Sequence, residues 1–321
     1  MRGLAAAVVA LIVMAGAAAH AEDAYPSKPI RIVVPYPAGG GTDALARSFG
    51  KQLTASLGQP IVIENRPGSG TLLAADVVAH AAPDGYTLLW ATCTTLGISP
   101  SMYKTPAIKP LADFTPIAQV ARATFVLVTA KSLPVKTVAD VIAYAKARPG
   151  KLNYGSAGSG TPHHLYMEML KQRAGIDVVH VPYKGSGPAT LDLLSGQLAM
   201  MIDDVTPLNG HIENGDVRLI AVAGDRPSPL FPGVPAIGET VPGFDLRVWQ
   251  GIVGPAHTPP AVVTRLDGAI ARIVHAPDYA KDLVPFGMEP LYRAPDDFRA
   301  YLVSDVPRWA KLVKEAGAHV E

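Results

Sequence analysis

Strand signals alternate with helix signals along almost the whole chain, and that alternation restricts it to a small set of α/β folds. Ile30–Val34 is an apolar run that predicts a buried strand, followed by a helix over Thr42–Leu57 that Gly58 stops. A strand over Pro60–Glu64, a helix over Thr71–Ala82 and a strand over Tyr86–Ala91 follow, joined by short glycine- and proline-bearing turns. Such a succession predicts a parallel sheet with right-handed crossovers. After a loose stretch at 99–116 the pattern restarts. Strands are expected over Phe125–Ala130, Leu152–Ser156, Val178–Tyr183 and Leu198–Asp203, with helices over Thr137–Arg148, from Thr161 to about Arg173, and over Pro188–Gly196. Val248–Val253 reads as a return to the first unit, which helices over Pro260–His275 and Asp296–Gly317 complete. The expectation is an α/β chain of two domains, 24–122 with 250–321 and 123–249. Each is a mainly parallel sheet flanked by helices, with a cleft between them.

Each half holds a strand, a glycine-rich loop and a helix whose first turn carries threonine. The first loop is Gly39-Gly40-Gly41-Thr42-Asp43, and the second runs Gly155-Ser156-Ala157-Gly158-Ser159-Gly160-Thr161. Glycines let several backbone N–H groups converge without side chains in the way. A helix start adds unpaired donors and the positive end of the dipole, which together make an anion site. Open sheets bind ligands at the carboxyl ends of their strands, so two facing domains would bring both loops to one cleft. A tight turn explains one such loop equally well; two at matching places favour a ligand. Asp43 reads as a capping or first-turn residue more readily than as a contact.

Other chemistries fit less well. Gly39-x-Gly41-x-x-Ala44 matches a dinucleotide fingerprint, and Glu64 stands where a ribose-binding acid would, but Pro35 and Pro37 interrupt the junction that a pyrophosphate turn needs. No serine occupies a Gly-x-Ser-x-Gly elbow, and Cys93 has no basic neighbour in sequence. Ser156 and Ser159 lie near His163 and His164, yet on a poor scaffold for a nucleophile. His164 and Glu168 share a helix face without a second cluster to complete a metal site. His164 reads as a cleft residue or a packing one, and His163 as a surface residue. Lys184 and Asp203 each end a strand at the ligand-binding edge, where a solvated lysine and a turn-bonded aspartate are the ordinary alternatives. No catalytic group, metal or cofactor is expected.

Residues 1–21 have a basic start, an apolar core from Leu4 to Ala18 and the small-x-small site Ala19-His20-Ala21, the layout of a secretory signal peptide cleaved after Ala21. Arg2 is the only lysine, arginine or acid in that segment, so its removal brings the 28 basic residues level with the 27 acidic ones. A chain without net charge has no bulk field to collect nucleic acid or an anionic membrane. Any anion must therefore be captured by local geometry. Cys93 is the only cysteine, so no intrachain disulfide forms.

The stretches "YPSKPIRIVVPYPAGGGTDALAR", "LGQPIVIENRPGSG", "APDGYTLL", "YGSAGSGTPHHL", "VPYKGSGPATLDLLSGQLAMMID" and "GPAHTPPAVVTRLD" occur in one order along the chain. In them the chain resembles the Bug (TctC-type) extracytoplasmic solute receptors that serve tripartite tricarboxylate transporters. The resemblance implies a two-domain, type II-like periplasmic binding-protein fold closing on a small carboxylated solute, working as a monomer in the periplasm. It also implies membrane partners: the components of a tripartite transporter, or a sensor protein. Carried over, the ligand-binding positions are Ala38, Gly39, Gly40, Gly41, Thr42 and Asp43 in one loop. In the other they are Ser156, Ala157, Gly158, Ser159, Gly160 and Thr161, with His164 alongside. The resemblance also implies a contact in the loop Thr92-Cys93-Thr94-Thr95 after the third strand, with Thr92 as the candidate, and Asp203, read from its place at a strand end, completes the set. An exported enzyme on the same scaffold is the alternative reading.

Overall fold

The computed structural model describes residues 25–245 and 248–319. The expected signal peptide, 1–21, lies outside the described residues. Among the described residues no helix is long and apolar enough to cross a membrane.

In chain order the strands are β1 (Ile30–Val34), β2 (Ile61–Asn65), β3 (Thr87–Thr92), β4 (Phe114–Ala123), β5 (Phe125–Ala130), β6 (Asn153–Ser156), β7 (Val179–Pro182), β8 (Met200–Asp204), β9 (Val217–Val222), β10 (Trp249–Pro255) and β11 (Met288–Arg293). They form a six-stranded sheet, β11-β4-β10-β3-β1-β2, and a five-stranded sheet, β7-β6-β8-β5-β9. Both sheets are mixed, which corrects the expectation of mainly parallel ones. Parallel pairs are β1–β2, β1–β3, β6–β7 and β6–β8, where a helix lies between the strands in sequence. The pairs β3–β10, β4–β10, β4–β11, β5–β8 and β5–β9 are antiparallel. The antiparallel pairs all involve strands next to the passages between the two sheets, where no crossover helix imposes a direction.

β4 is absent from the sequence reading because Pro116 and several alanines hide its alternation; Ile117, Ala118, Val120 and Ala121 in it are fully buried. Between β4 and β5 stands Thr124 alone, so the chain passes from one sheet to the other almost without a loop. The Thr124 N–H is held by the Gly287 carbonyl at 2.8 Å, just before β11. β10 returns the chain to the first sheet. Three strand ends therefore meet at one crossing.

The helices form for local reasons and then bury one face. Gly41–Leu57 places Leu45, Phe49, Leu53 and Leu57 four residues apart against the six-stranded sheet. Gly58, in the left-handed conformation at φ 74°, closes it. Val138–Lys146 opens on a capping box in which the Thr137 hydroxyl accepts from the Asp140 N–H and the Asp140 carboxylate accepts from the Thr137 N–H. Pro295–Glu315 buries Phe298, Leu302, Trp309 and Leu312. Trp309 meets the edge of Tyr166, on the Pro162–Ala174 helix of the other lobe, at 5.3 Å. One apolar cluster thus includes Val33 and Leu89 from the first sheet and Leu127 and Tyr154 from the second.

Candidate functional site

A cavity of about 350 Å³ opens between the lobes. Gly41 and Thr42, the first residues of one long helix, line it together with Thr161, Pro162 and His163, the start of another. The first-turn amides of a helix have no partner within it, so two sets of donors and two positive dipole ends share this space.

The loop before Gly41 is shaped from behind by Asp43. Its Oδ2 accepts from the Gly39 N–H at 2.9 Å and from Arg47 Nε at 3.0 Å, and its Oδ1 accepts from Asn65 Nδ2 at 2.8 Å. Burial alone would raise this carboxyl, but the bonds from Arg47, Gly39 and Asn65 outweigh it and hold it down at about 2. Asp43 is therefore a loop brace whose oxygens are already engaged. Gly39, at φ 85°, supplies the turn that lets the chain fold back onto it. Ala38, Gly39 and Gly40 are exposed but do not line the cavity.

The second loop is braced in the same way. Ser156, fully buried, places its Oγ 2.7 Å from His180 Nε2 and accepts from the Gly158 N–H at 3.2 Å. His164 Nδ1 accepts from the Gly160 N–H at 3.1 Å, and its ring stacks on His180 at 4.1 Å. Burial lowers the pKa of both histidines, His180 to about 4 with a further push from His164. Neutral rings suit this arrangement, since His164 must keep a free Nδ1 lone pair. Ser156, Ala157, Gly158, Ser159, Gly160 and His164 accordingly stand behind or beside the cavity, and Thr161 is the residue of this loop that lines it.

The structure overturns the expectation for His163 and gives His164 the packing role of its two alternatives. His163, read from sequence as a surface residue, is buried and lines the cavity, whereas His164 faces away. His163 Nε2 donates to Asp203 Oδ1 at 2.8 Å and lies 3.6 Å from Asp204 Oδ2. Asp203, with no exposed surface, also accepts from Ser186 Oγ and the Asp204 N–H, each at 2.8 Å. It acts through His163 and does not line the cavity itself. Burial would lower the His163 pKa, but the Asp203 and Asp204 carboxylates overcome it and raise it to about 9. Burial lifts Asp203 above the ordinary carboxyl range, against the pull of His163. At neutral pH His163 is an imidazolium whose Nδ1 has no partner among the described residues. His163, Asp203 and Asp204 offer ligand atoms within 4.8 Å of one another, and His163 Nε2 is paired with Asp203 Oδ1 at 2.8 Å.

The sign of this shift gives a test. A folded pKa raised from 6.5 to about 9 means that the His163 contribution to stability is complete below 6.5 and is lost as pH rises through about 9. The stability gap between the native protein and His163→Gln should therefore shrink from about pH 6 to about pH 9.5, read as urea midpoints. A constant gap would show that the ring is neutral throughout.

The remaining polar wall comes from the segment after β3. Tyr36 Oη and Thr92 Oγ1 lie 3.2 Å apart, and Thr92 Oγ1 is 3.0 Å from Thr95 Oγ1. Cys93 also lines the cavity, but burial pushes its thiol up to about 12, so no thiolate is on hand for nucleophilic chemistry. Glu64, the candidate ribose acid, is paired instead with Arg31 at 3.0 Å and Arg66 at 2.5 Å. Lys184 is exposed and lies off the cavity. Sequence reasoning did not find the wall contributed by the crossing: Ala123, Phe125, Val248, Trp249, Phe286 and Met288. Only the shift from β4 to β5 at Thr124 could have pointed to it, and β4 itself is hidden.

Known proteins share this fold and much of this sequence. The family model described as "Tripartite tricarboxylate transporter family receptor" matches residues 45–318. Protein BugT of Bordetella pertussis is 35% identical over 324 residues, covering 100% of this chain and 99% of that protein. A UPF0065 protein from a tcbD-tcbE intergenic region of Pseudomonas sp. (strain P51) is 38% identical over 295 residues, 91% of this chain and 88% of the relative. Among solved structures, R. palustris Rpa4515 with adipate superposes with a TM-score of 0.79 at 35% identity, covering 92% of this chain and 100% of its own. MatC (Rpa3494) from Rhodopseudomonas palustris with bound malate gives 0.74 at 32% identity, covering 90% and 100%. The chain belongs to the tripartite tricarboxylate transporter receptor family, a family of two-domain solute-binding receptors.

Proposed function

We propose that this protein is a periplasmic receptor without catalytic activity that captures one small carboxylate between its lobes and delivers it to the membrane components of a tripartite transporter. The observation that carries the reading is the convergence of two helix starts and the charged His163 on one cavity. Relatives solved with adipate and with malate support an acid as the solute. The bonding groups are the first-turn amides at Gly41 and Thr42, the His163 N–H that follows the donorless Pro162 on the second helix, and His163 Nδ1. Asp43, Ser156, His164 and Asp203 hold these groups in place. The domains are 24–122 with 250–321 and 123–249, in keeping with the strands each sheet uses. The chain works as a monomer, exported by a signal peptide removed after Ala21.

The test compares acids with their neutral amides. An acid at 100 times its dissociation constant should stabilise the protein by about 2.7 kcal/mol, seen as a rise in melting temperature. The matching amide has no charge for the dipoles or the imidazolium and should give little. Equal rises from acid and amide would defeat the carboxylate reading.

A further inference from the structure

His163 stands in the first turn of the Pro162–Ala174 helix, and Asp203 and Asp204 end β8. The fold thus brings three metal-ligating side chains together from two elements. Each offers a ligand atom within 4.8 Å of the other two. From His163 Nε2 the separations are 2.8 Å to Asp203 Oδ1 and 3.6 Å to Asp204 Oδ2. Ligand atoms around a tetrahedral zinc ion lie about 3.4 Å apart, so movements of about half an ångström would admit one.

Both carboxylates are oriented from behind, as metal ligands usually are. Asp203 Oδ1 accepts from Ser186 Oγ and from the Asp204 N–H, each at 2.8 Å, and Asp204 Oδ1 accepts from the Thr206 N–H at 3.2 Å. Asp203 has no exposed surface, yet its Oδ2 has no hydrogen-bond partner among the described residues. A buried carboxylate oxygen left bare is costly, and a cation beside it removes the cost. Charge points the same way. Two carboxylates against one imidazolium leave the trio one negative charge in excess, whereas a divalent ion on a neutral imidazole brings it to zero. His163 and Asp204 both line the cavity, so an ion between them would have its remaining position open to it.

We propose that His163, Asp203 and Asp204 form a binding site for a divalent cation of the zinc class, which takes the place of the proton on His163 Nε2. That proton passes to solvent, and the ring keeps its Nδ1–H. An imidazole with two carboxylates suits zinc better than magnesium, which demands octahedral oxygen ligands and sheds its water reluctantly. The site goes beyond the carboxylate reading, which stands with or without the ion.

Calorimetric titration of the untagged, chelator-treated protein with zinc alone tests this, at about pH 8, where the ion competes better with the Nε2 proton. One tightly bound zinc per chain is expected, with magnesium much weaker. His163→Gln and Asp204→Asn, each checked for folding by its melting curve, should weaken zinc at least about tenfold, since outer-shell losses alone cost about 10- to 100-fold. The exposed pairs His80 with Asp76 and His211 with Asp216 offer zinc a surface alternative. A protein carrying both His80→Gln and His211→Gln should therefore bind the tight zinc as the native protein does. Zinc held no more tightly than magnesium overturns the proposal. So does zinc affinity that survives His163→Gln and Asp204→Asn, or that disappears with His80→Gln and His211→Gln.

Discussion

Asp305→Ala is expected to cost about 3–5 kcal/mol of stability, the scale for breaking a buried charged network by removing one partner. Asp305 has no exposed surface, and its Oδ2 accepts from two indoles, Trp249 Nε1 at 2.7 Å and Trp309 Nε1 at 2.9 Å. Arg308 Nη1 stands 3.7 Å from Oδ1. Alanine strands both indole N–H groups in the interior, at about 1–3 kcal/mol each. Asp305→Asn keeps the volume and one acceptor, so its loss should be clearly smaller. Chemical denaturation measures the change, and a melting temperature lower by on the order of 10 °C should accompany it. A loss below about 1 kcal/mol for the alanine variant would show that the indoles find other acceptors. Solute affinity should fall as well, because Trp249 loses the bond that fixes its ring in the cavity wall.

The second large effect separates two glycines. A Cβ added at Gly41 meets nothing within 4 Å, and its backbone is not left-handed. Gly41→Val should therefore fold with a change of about 1 kcal/mol or less. Its side chain, however, stands at the helix start that lines the cavity. Losing even one charge-assisted bond there costs about 1.5–3 kcal/mol, so affinity should drop about 10- to 100-fold. Gly160→Val behaves differently. Gly160 sits at φ 76°, and its added Cβ would lie 2.2 Å from Met102 Cε on the short helix after β3, across the gap between the lobes. That variant should lose both stability and affinity. Small-angle scattering should also show it compacting less when an acid is added, since a second loop strained at this positive φ presents its donors poorly to the solute. Unchanged affinity in a folded Gly41→Val protein would mean that its amide takes no part in binding.

The sequence displays the frame of this site more clearly than its surface. Both glycine loops and the helices behind them can be read directly, because glycine, threonine and four-residue apolar spacing are local signals. Gly41, Thr42, Thr92 and Thr161, all named from the sequence, line the cavity. The choice between His163 and His164 is not a local matter. Adjacent helix residues point about 100° apart, and which one faces inward depends on Asp203 and His180, each brought in from another strand. The apolar wall is harder still to foresee, since it assembles from β4, β5, β10 and the turn before β11, segments far apart in sequence.

The route of the chain through the sheets also fixes the order in which they can be finished. The five-stranded sheet draws on a single continuous stretch, Phe125–Val222, and holds all its strands once that stretch has been synthesised. The six-stranded sheet is different: β10 lies between β3 and β4, so those two strands have no hydrogen-bonded connection until Trp249–Pro255 arrives. The lobe that starts first must finish last, and its central seam closes by pairing residues such as Thr92 and Gln250 across a long separation in sequence. Contacts of that range form slowly. A growing chain of this design keeps its first half unlocked until most of its length exists, while the inserted lobe is already free to fold.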